Sequence, residues 1–183
     1  MIIAIIPAKG NSKRLKNKNL RTLNKKKLIQ YSIEYVKKSN LVDDIYISTD
    51  SIKVANVSKK MNVRVILRSK NLGGETPIID VYRHAFNKLK KKNINLMIGL
   101  QPDHPDRILN LDNLIKKFKK GKFTHTISYN KKSKTKDGSY YLMSKKHILN
   151  FDSSKPLKVF DNCTNIHNLK DLKIAEKKLK NET

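Results

Sequence analysis

Met1-Ile-Ile-Ala-Ile-Ile6 is an unbroken apolar run rich in β-branched residues, and Pro7 ends it before the polar, basic stretch Ala8-Lys-Gly-Asn-Ser-Lys-Arg-Leu-Lys-Asn-Lys-Asn19. A strand that is apolar on both faces must be covered on both, which is the condition of a central strand in a parallel sheet. Working outward, Leu28, Ile29, Ser32, Ile33 and Val36 recur at helical spacing and predict a helix ending near Asn40. Residues 45–48 predict a second strand, 51–60 a short helix opened by an Asp or Ser cap, and 63–67 a third strand. Thr76 as cap and Pro77 in the first turn predict a helix to about residue 91, with Ile78, Val81, Tyr82, Ala85 and Leu89 on one face. Residues 96–100 then form a strand, 101–107 a loop, 111–120 a helix, 123–129 a strand and 130–138 a lysine-rich turn. Residues 140–143, 144–150 and 169–180 predict a strand, a short helix and a terminal helix. This alternation predicts a single-domain, Rossmann-like α/β fold with an open, mostly parallel sheet and its ligands at the carboxyl ends of the strands.

A length of 183 residues fits one domain, and 38% apolar residues suffice for an ordinary core. No apolar run approaches the roughly 18 to 20 residues of a membrane span. The apolar start is too short for a signal-peptide core and has no basic segment before it, so the expected location is cytoplasmic. Cys163 is the single cysteine, which excludes an internal disulfide framework and a cysteine-based zinc cluster. The net charge of +26 raises a polyanion or RNA partner, because clustered cations release counterions from phosphates. The arginines are Arg14, Arg21, Arg64, Arg68, Arg83 and Arg107, while the dense runs at 25–27, 90–92 and 116–122 are mostly lysine with few aromatics. That pattern lacks the forks and stacking rings of sequence readers, and solvated helix faces account for it.

The chemistry is expected in the loop after the first strand, where backbone amides, a hydroxyl and several cationic tips can converge on a polyphosphate. The loop has neither P-loop spacing nor a dinucleotide GxGxxG, so ATPase and dehydrogenase readings lose support. Ile5-Ile-Pro-Ala-Lys-Gly-Asn-Ser-Lys-Arg-Leu-Lys-Asn-Lys-Asn-Leu20 resembles the amino-terminal motif of CMP-sialic acid synthetases (acylneuraminate cytidylyltransferases), usually Ile-Pro-Ala-Arg, small, Gly, Ser-Lys, any, Leu-Pro, any, Lys-Asn. Three further segments resemble the same family in the same order: the strand ending Ser48-Thr-Asp50, the stretch from Arg68 through Leu72 to His84-Ala85, and the terminal helix containing Asp171-Leu172.

The resemblance implies nucleotide contacts at Ala8, Lys9, Gly10, Ser12, Lys13, Lys18 and Arg68, with Lys9, Lys13 and Lys18 neutralising charge in catalysis. It implies contacts to the acceptor at Asn19, Gln101 and Arg107. Lys9 stands at the family's arginine, keeping the charge without the planar fork. Asn11 replaces a glycine and Lys16 a proline. The family's Asp-any-Asp metal motif falls on Asn165-Ile-His167, so neither carboxylate is present. Gln101-Pro-Asp-His-Pro105 resembles the Gln-Gly-Asp-Glu-Pro loop of Kdo cytidylyltransferases, which makes Asp103 the expected Mg²⁺ ligand, with Asp106 and Asp161 as outside candidates. His104 and His167 are expected as polar loop residues. The region that builds the family's dimerisation arm is largely missing after residue 128, so residues 1–183 read as one cytidylyltransferase domain with a weakened homodimer. The implied activity is transfer of CMP from CTP to an acidic 2-keto sugar or related hydroxylated acid, releasing pyrophosphate. The alternatives are a catalytically impaired nucleotide-binding protein and a polyanion- or RNA-binding protein.

Overall fold

A computed structural model of the protein describes residues 1–73, 76–89 and 93–181. In chain order the elements are β1 (Ile2–Pro7), a 3-10 turn at Lys18–Leu20, β2 (Thr22–Leu23), β3 (Lys26–Lys27), α1 (Leu28–Lys37), β4 (Asp44–Thr49), α2 (Ile52–Lys60), β5 (Arg64–Leu67), a second 3-10 turn at Lys70–Leu72, and α3 (Ile78–Lys88). They continue with β6 (Leu96–Gly99), α4 (Leu111–Lys120), β7 (His125–Asn130), β8 (Tyr141–Ser144), α5 (Lys145–Asn150), β9 (Pro156–Asp161) and α6 (Leu169–Asn181).

Seven strands form one sheet in the order β5-β4-β1-β6-β8-β7-β9, with β2 and β3 as a separate hairpin. β1 pairs in parallel with β4 and with β6, placing Ile5 opposite Tyr46 on one side and Gly99 on the other. β8 is antiparallel to both its neighbours, and β9 returns parallel to β7 at the edge. The expected open, mostly parallel α/β sheet is therefore present, with β1 inside it as its two-sided apolar pattern requires.

Alternation along β1 divides the core. Ala4 and Ile6 pack with Ile33 of α1, Val54 of α2 and Ile115 of α4 on one face, while Ile3 and Ile5 pack with Tyr82 and Phe86 of α3 and Ile148 of α5 on the other. Gly99 is needed at the close approach of α3 to the sheet, because a Cβ there would lie 2.3 Å from the Tyr82 ring. A third cluster joins Leu15, Leu23 and Leu28 to Ile166 and Ala175, folding α6 back over the loop that follows β1. Among the described residues, no helix is long and apolar enough to cross a membrane.

Several local expectations change. Thr76 does not cap α3; its hydroxyl donates instead to the carbonyls of Gly73 (2.8 Å) and Asn71 (3.2 Å), closing the turn before the helix. The end expected near residue 91 and the lysine run 90–92 lie outside the described residues. α1 stops at Lys37, short of Asn40. The strand β9 and the β2–β3 hairpin were not anticipated: β9 is an edge strand opened by a proline, with Leu157, Val159 and Asp161 buried and the intervening residues exposed.

Candidate active site

The loop after β1 is shaped by its own polar residues before any ligand enters. The Gly10 N–H donates to Asp50 Oδ1 at 2.7 Å, and a Cβ on Gly10 would meet the Ser51 Cβ at 2.6 Å, so only glycine lets the loop lie this close to the end of β4. Asn19, 5% exposed, donates to the Lys9 carbonyl at 2.8 Å and closes the loop on itself. Asn17, with φ 55° in the left-handed region that asparagine tolerates, turns the chain into the 3-10 segment that carries Lys18. Ser12 is buried within the loop, whereas Lys13 is exposed.

Lys18 reaches across to the loop after β6. Its Nζ donates to Asp103 Oδ2 at 2.8 Å and to the Ile166 carbonyl at 3.0 Å. The Ile166 N–H in turn donates to the Asp103 carbonyl at 2.9 Å, so three loops meet at one point. Burial disfavours the charged Asp103 carboxylate, but His104 and Lys18 beside it outweigh this and hold it well below the usual carboxylate range. Asp103 Oδ1 is a buried oxygen without a hydrogen-bond donor.

The carboxyl ends of β1, β5 and β6 enclose a cleft of about 180 Å³ lined by Lys9, Lys18, Asn19, Arg68, Gln101 and Asp103, with Leu72, Gly73 and Thr76 across from them. Arg68 is 8% exposed and donates to the Leu72 carbonyl at 2.9 Å. Burial lowers its pKa, and Asp50 partly opposes that shift. Gln101 makes long contacts, 3.5 Å, from Nε2 to the Gly138 carbonyl and the Tyr141 hydroxyl. Six of the residues expected from the sequence thus converge on one cleft. Ala8, Gly10, Ser12 and Lys13 belong to the same loop without lining that cleft.

Arg107, expected to contact the acceptor, does not line this cleft. It is 8% exposed and turned inward, donating to the carbonyls of Ser139 (2.9 Å), Gln101 (2.7 Å) and His104 and to the Ser32 hydroxyl (3.1 Å). With four of its five N–H groups donating to the protein, it fastens the loop after β6 to α1 and to the β7–β8 connection. The outside metal candidates are also engaged. Asp106 accepts from the Thr164 N–H and hydroxyl, both at 2.7 Å, and lies 3.2 Å from Lys178 Nζ. Asp161 accepts from the Tyr140 hydroxyl and from the N–H groups of Asn162 and Ile108.

Asp171, in the segment likened to the family's terminal helix, accepts from the N–H groups of His167 (2.8 Å) and Asn168 (3.1 Å), fixing the turn into α6. That turn sets His167 near Asp103, Lys18 and Arg14. Burial, then the two cations, lowers its pKa, so the imidazole is neutral at pH 7. The role of Asp50 was not assigned from sequence, although its place after Ser48-Thr49 was noted. It organises the amide of Gly10 and faces Gly73, where a Cβ would lie 2.8 Å from Oδ2. A larger hollow of about 510 Å³ lies between α1, α6 and the β2–β3 turn, but of the site residues expected from the sequence it includes only Asp106 and Arg107. The smaller cleft is the better candidate because the cations and Asp103 converge there.

Comparison with known proteins bears on the family and the fold. The CMP-N,N'-diacetyllegionaminic acid synthase of Legionella pneumophila is 34% identical over 110 residues, 58% of this chain and 47% of that protein. The 3-deoxy-manno-octulosonate cytidylyltransferase of Wigglesworthia glossinidia brevipalpis is 35% identical over 127 residues, 68% of this chain and 49% of that protein. The aligned part thus spans at most about half the length of these curated relatives. A solved structure described as CMP:2-keto-3-deoxy-manno-octonic acid synthetase complexed with CTP superposes with a TM-score of 0.80 at 14% identity, covering 100% of this chain and 99% of that one, which speaks to the fold. A family model described as Cytidylyltransferase matches residues 3–182, nearly the whole length, and the chain belongs to that family.

Proposed function

We propose that the protein transfers CMP from CTP to an acidic 2-keto sugar or a related hydroxylated acid, releasing pyrophosphate. The observation that carries this reading is the convergence of Lys9, Lys18, Arg68, Gln101 and Asp103 on the cleft at the carboxyl ends of β1, β5 and β6. In the reaction an acceptor hydroxyl attacks the α-phosphorus, a new P–O bond forms, the bond to the β-phosphate oxygen breaks, and the hydroxyl proton passes to solvent. The loop after β1 binds the triphosphate through its amides and lysines; Lys13, exposed at its tip, and Lys9 and Lys18 neutralise charge that grows on the leaving pyrophosphate. Arg68, which lines the same cleft, would contact the base, and Asn19 and Gln101 the acceptor.

Magnesium fits this site through one carboxylate. Asp103 lines the cleft and has a buried oxygen without a donor, and magnesium is commonly held by one or two carboxylates together with substrate phosphates. Bound there, the ion would polarise the phosphates and offset their charge. Asn165 and His167 supply no second carboxylate.

Pyrophosphate release from CTP, measured against a panel of 2-keto acid sugars, tests the reading, with ATP, GTP and UTP as competitors. CTP should give the largest rise in melting temperature and support release with at least one acid. Equal stabilisation by ATP or GTP would sink the cytidylyl assignment. A second reading, CTP binding without turnover, is favoured by the Lys18 ammonium 2.8 Å from Asp103, the one carboxylate among the described residues that line the cleft. It is selected if CTP binds and no acid elicits pyrophosphate.

A further inference from the structure

Behind the cleft, three loops bring a histidine, an aspartate and a cysteine together. One ligand atom from each of His104, Asp137 and Cys163 lies within 4.8 Å of the other two. His104 follows β6, Asp137 lies in the β7–β8 connection and Cys163 follows β9, so no sequence motif announces the group. Each is held from outside. Asp137 Oδ1 accepts from the Ser139 N–H at 3.0 Å and hydroxyl at 2.9 Å, which leaves Oδ2 buried and without a donor. His104 is 1% exposed, its Nδ1 lies 3.2 Å from Asp103 Oδ1, and neither ring nitrogen has a hydrogen-bond partner. Cys163 is 1% exposed and its carbonyl accepts from Asn130 Nδ2 at 3.4 Å. Next to them Asn165 donates to the Asp137 carbonyl at 3.4 Å, and its Oδ1 is another buried acceptor without a donor.

Buried polar atoms left without partners cost free energy, and this concentration in one place calls for a ligand that satisfies several at once. We propose that His104, Asp137 and Cys163 bind a zinc(II) ion, with water as the fourth ligand. A thiolate, an imidazole and a carboxylate suit zinc and not magnesium. Zinc bonds of about 2.0–2.3 Å set ligand atoms about 3.5 Å apart, so the side chains close on the ion by rotating about an ångström, without backbone rearrangement. His104 Nδ1 lies 3.2 Å from Asp103 Oδ1, which leaves Nε2 as the nitrogen for the metal, and the serine bonds fix which oxygen Asp137 offers. Zinc binding releases the Cys163 proton to solvent. Because a proton is released, uptake strengthens as pH rises. The ion would cross-brace the β6, β7–β8 and β9 loops directly behind Asp103, independently of whether the cleft turns over CTP.

The full chain, stripped with chelator and dialysed, is titrated with Zn²⁺, with Co²⁺ as a spectroscopic probe and Mg²⁺ as control. Expected are one zinc per chain retained through gel filtration, a melting temperature raised by zinc and not by magnesium, and a thiolate-to-cobalt charge-transfer band. Cys163→Ser and Asp137→Asn should each lose the bound zinc, and Cys163→Ser the band as well, while His125→Gln, at the separate His125–His147 pair, keeps both. Asp137 is partly exposed and its Asn variant retains the acceptor that holds Ser139, so that variant reports on the metal even where the buried cysteine variant is destabilised. Weakening by more than the roughly 10- to 100-fold that outer partners contribute is the expected size for both ligand variants. Absence of retained zinc in the parent, or unchanged zinc affinity in Asp137→Asn and Cys163→Ser, overturns the site and leaves a hydrated polar pocket.

Discussion

Two loops at the same edge of the sheet carry cations, and they use them in opposite ways. After β1 the backbone is tied down by uncharged or acidic partners, Asn19 to the Lys9 carbonyl and Asp50 to the Gly10 amide, and its lysines lie along the cleft or at the surface, with Lys18 also bridging to Asp103 and the Ile166 carbonyl. After β6 the cation is itself the tie: Arg107 is buried and holds three carbonyls and a hydroxyl. The comparison teaches that a positive charge near a site is assigned by where its donors point. Arginine's planar fork can satisfy several fixed acceptors at once, which suits an internal brace, whereas a lysine tip can follow a mobile phosphate.

Replacing Arg107 should therefore show the largest effect on folding. Arg107→Ala leaves buried carbonyls without donors and should lower stability by about 2–4 kcal/mol, seen as a shift of the denaturant midpoint with little change in its slope. Unchanged stability with a raised KM for the acceptor would break the contrast and return Arg107 to the binding site. Asp103→Asn sharpens the other half. It removes the charge that pairs with Lys18 and should reduce pyrophosphate release roughly a hundredfold or more while CTP still raises the melting temperature.

Lys13→Ala should weaken CTP binding by about 1–3 kcal/mol, the range of a charged hydrogen bond, with little effect on stability. Lys117→Ala, on the exposed face of α4, is the control for generic charge. Calorimetric titration with CTP reads both, and equal losses at the two positions would reduce the loop to bulk electrostatics. The smallest effect is expected at His167. Its folded-state pKa lies below its unfolded value of about 6.5, so the unfolded chain binds more protons and stability falls as pH drops through about 6.5. His167→Gln should flatten that loss between about pH 7 and 5 in parallel melts, and an unchanged pH slope would mean that neither burial nor the neighbouring cations shift the ring.

Legibility followed the range of the interactions involved. The central strand and α4 could be read from local pattern because burial on both faces, or on one helical stripe, leaves a mark in consecutive residues. β9 could have been found from Leu157 and Val159 alternating with exposed neighbours, but Pro156 at its start obscured an edge strand. Thr76 looked like a cap because a hydroxyl precedes a proline and an apolar stripe; the Gly73 and Asn71 carbonyls compete for that hydroxyl, and they win.

The sequence by itself determined an alternating α/β chain with a buried first strand and a basic loop after it, and its motifs pointed to the cytidylyltransferase family. Tertiary structure alone decided that Lys18 meets Asp103, 85 positions away, that Arg107 faces inward, and that His104, Asp137 and Cys163 gather from three separate loops. The physical reason is that periodicity records which face of an element avoids water, while pairing between loops depends on strand order and register. Those are fixed only when the whole sheet has closed its core.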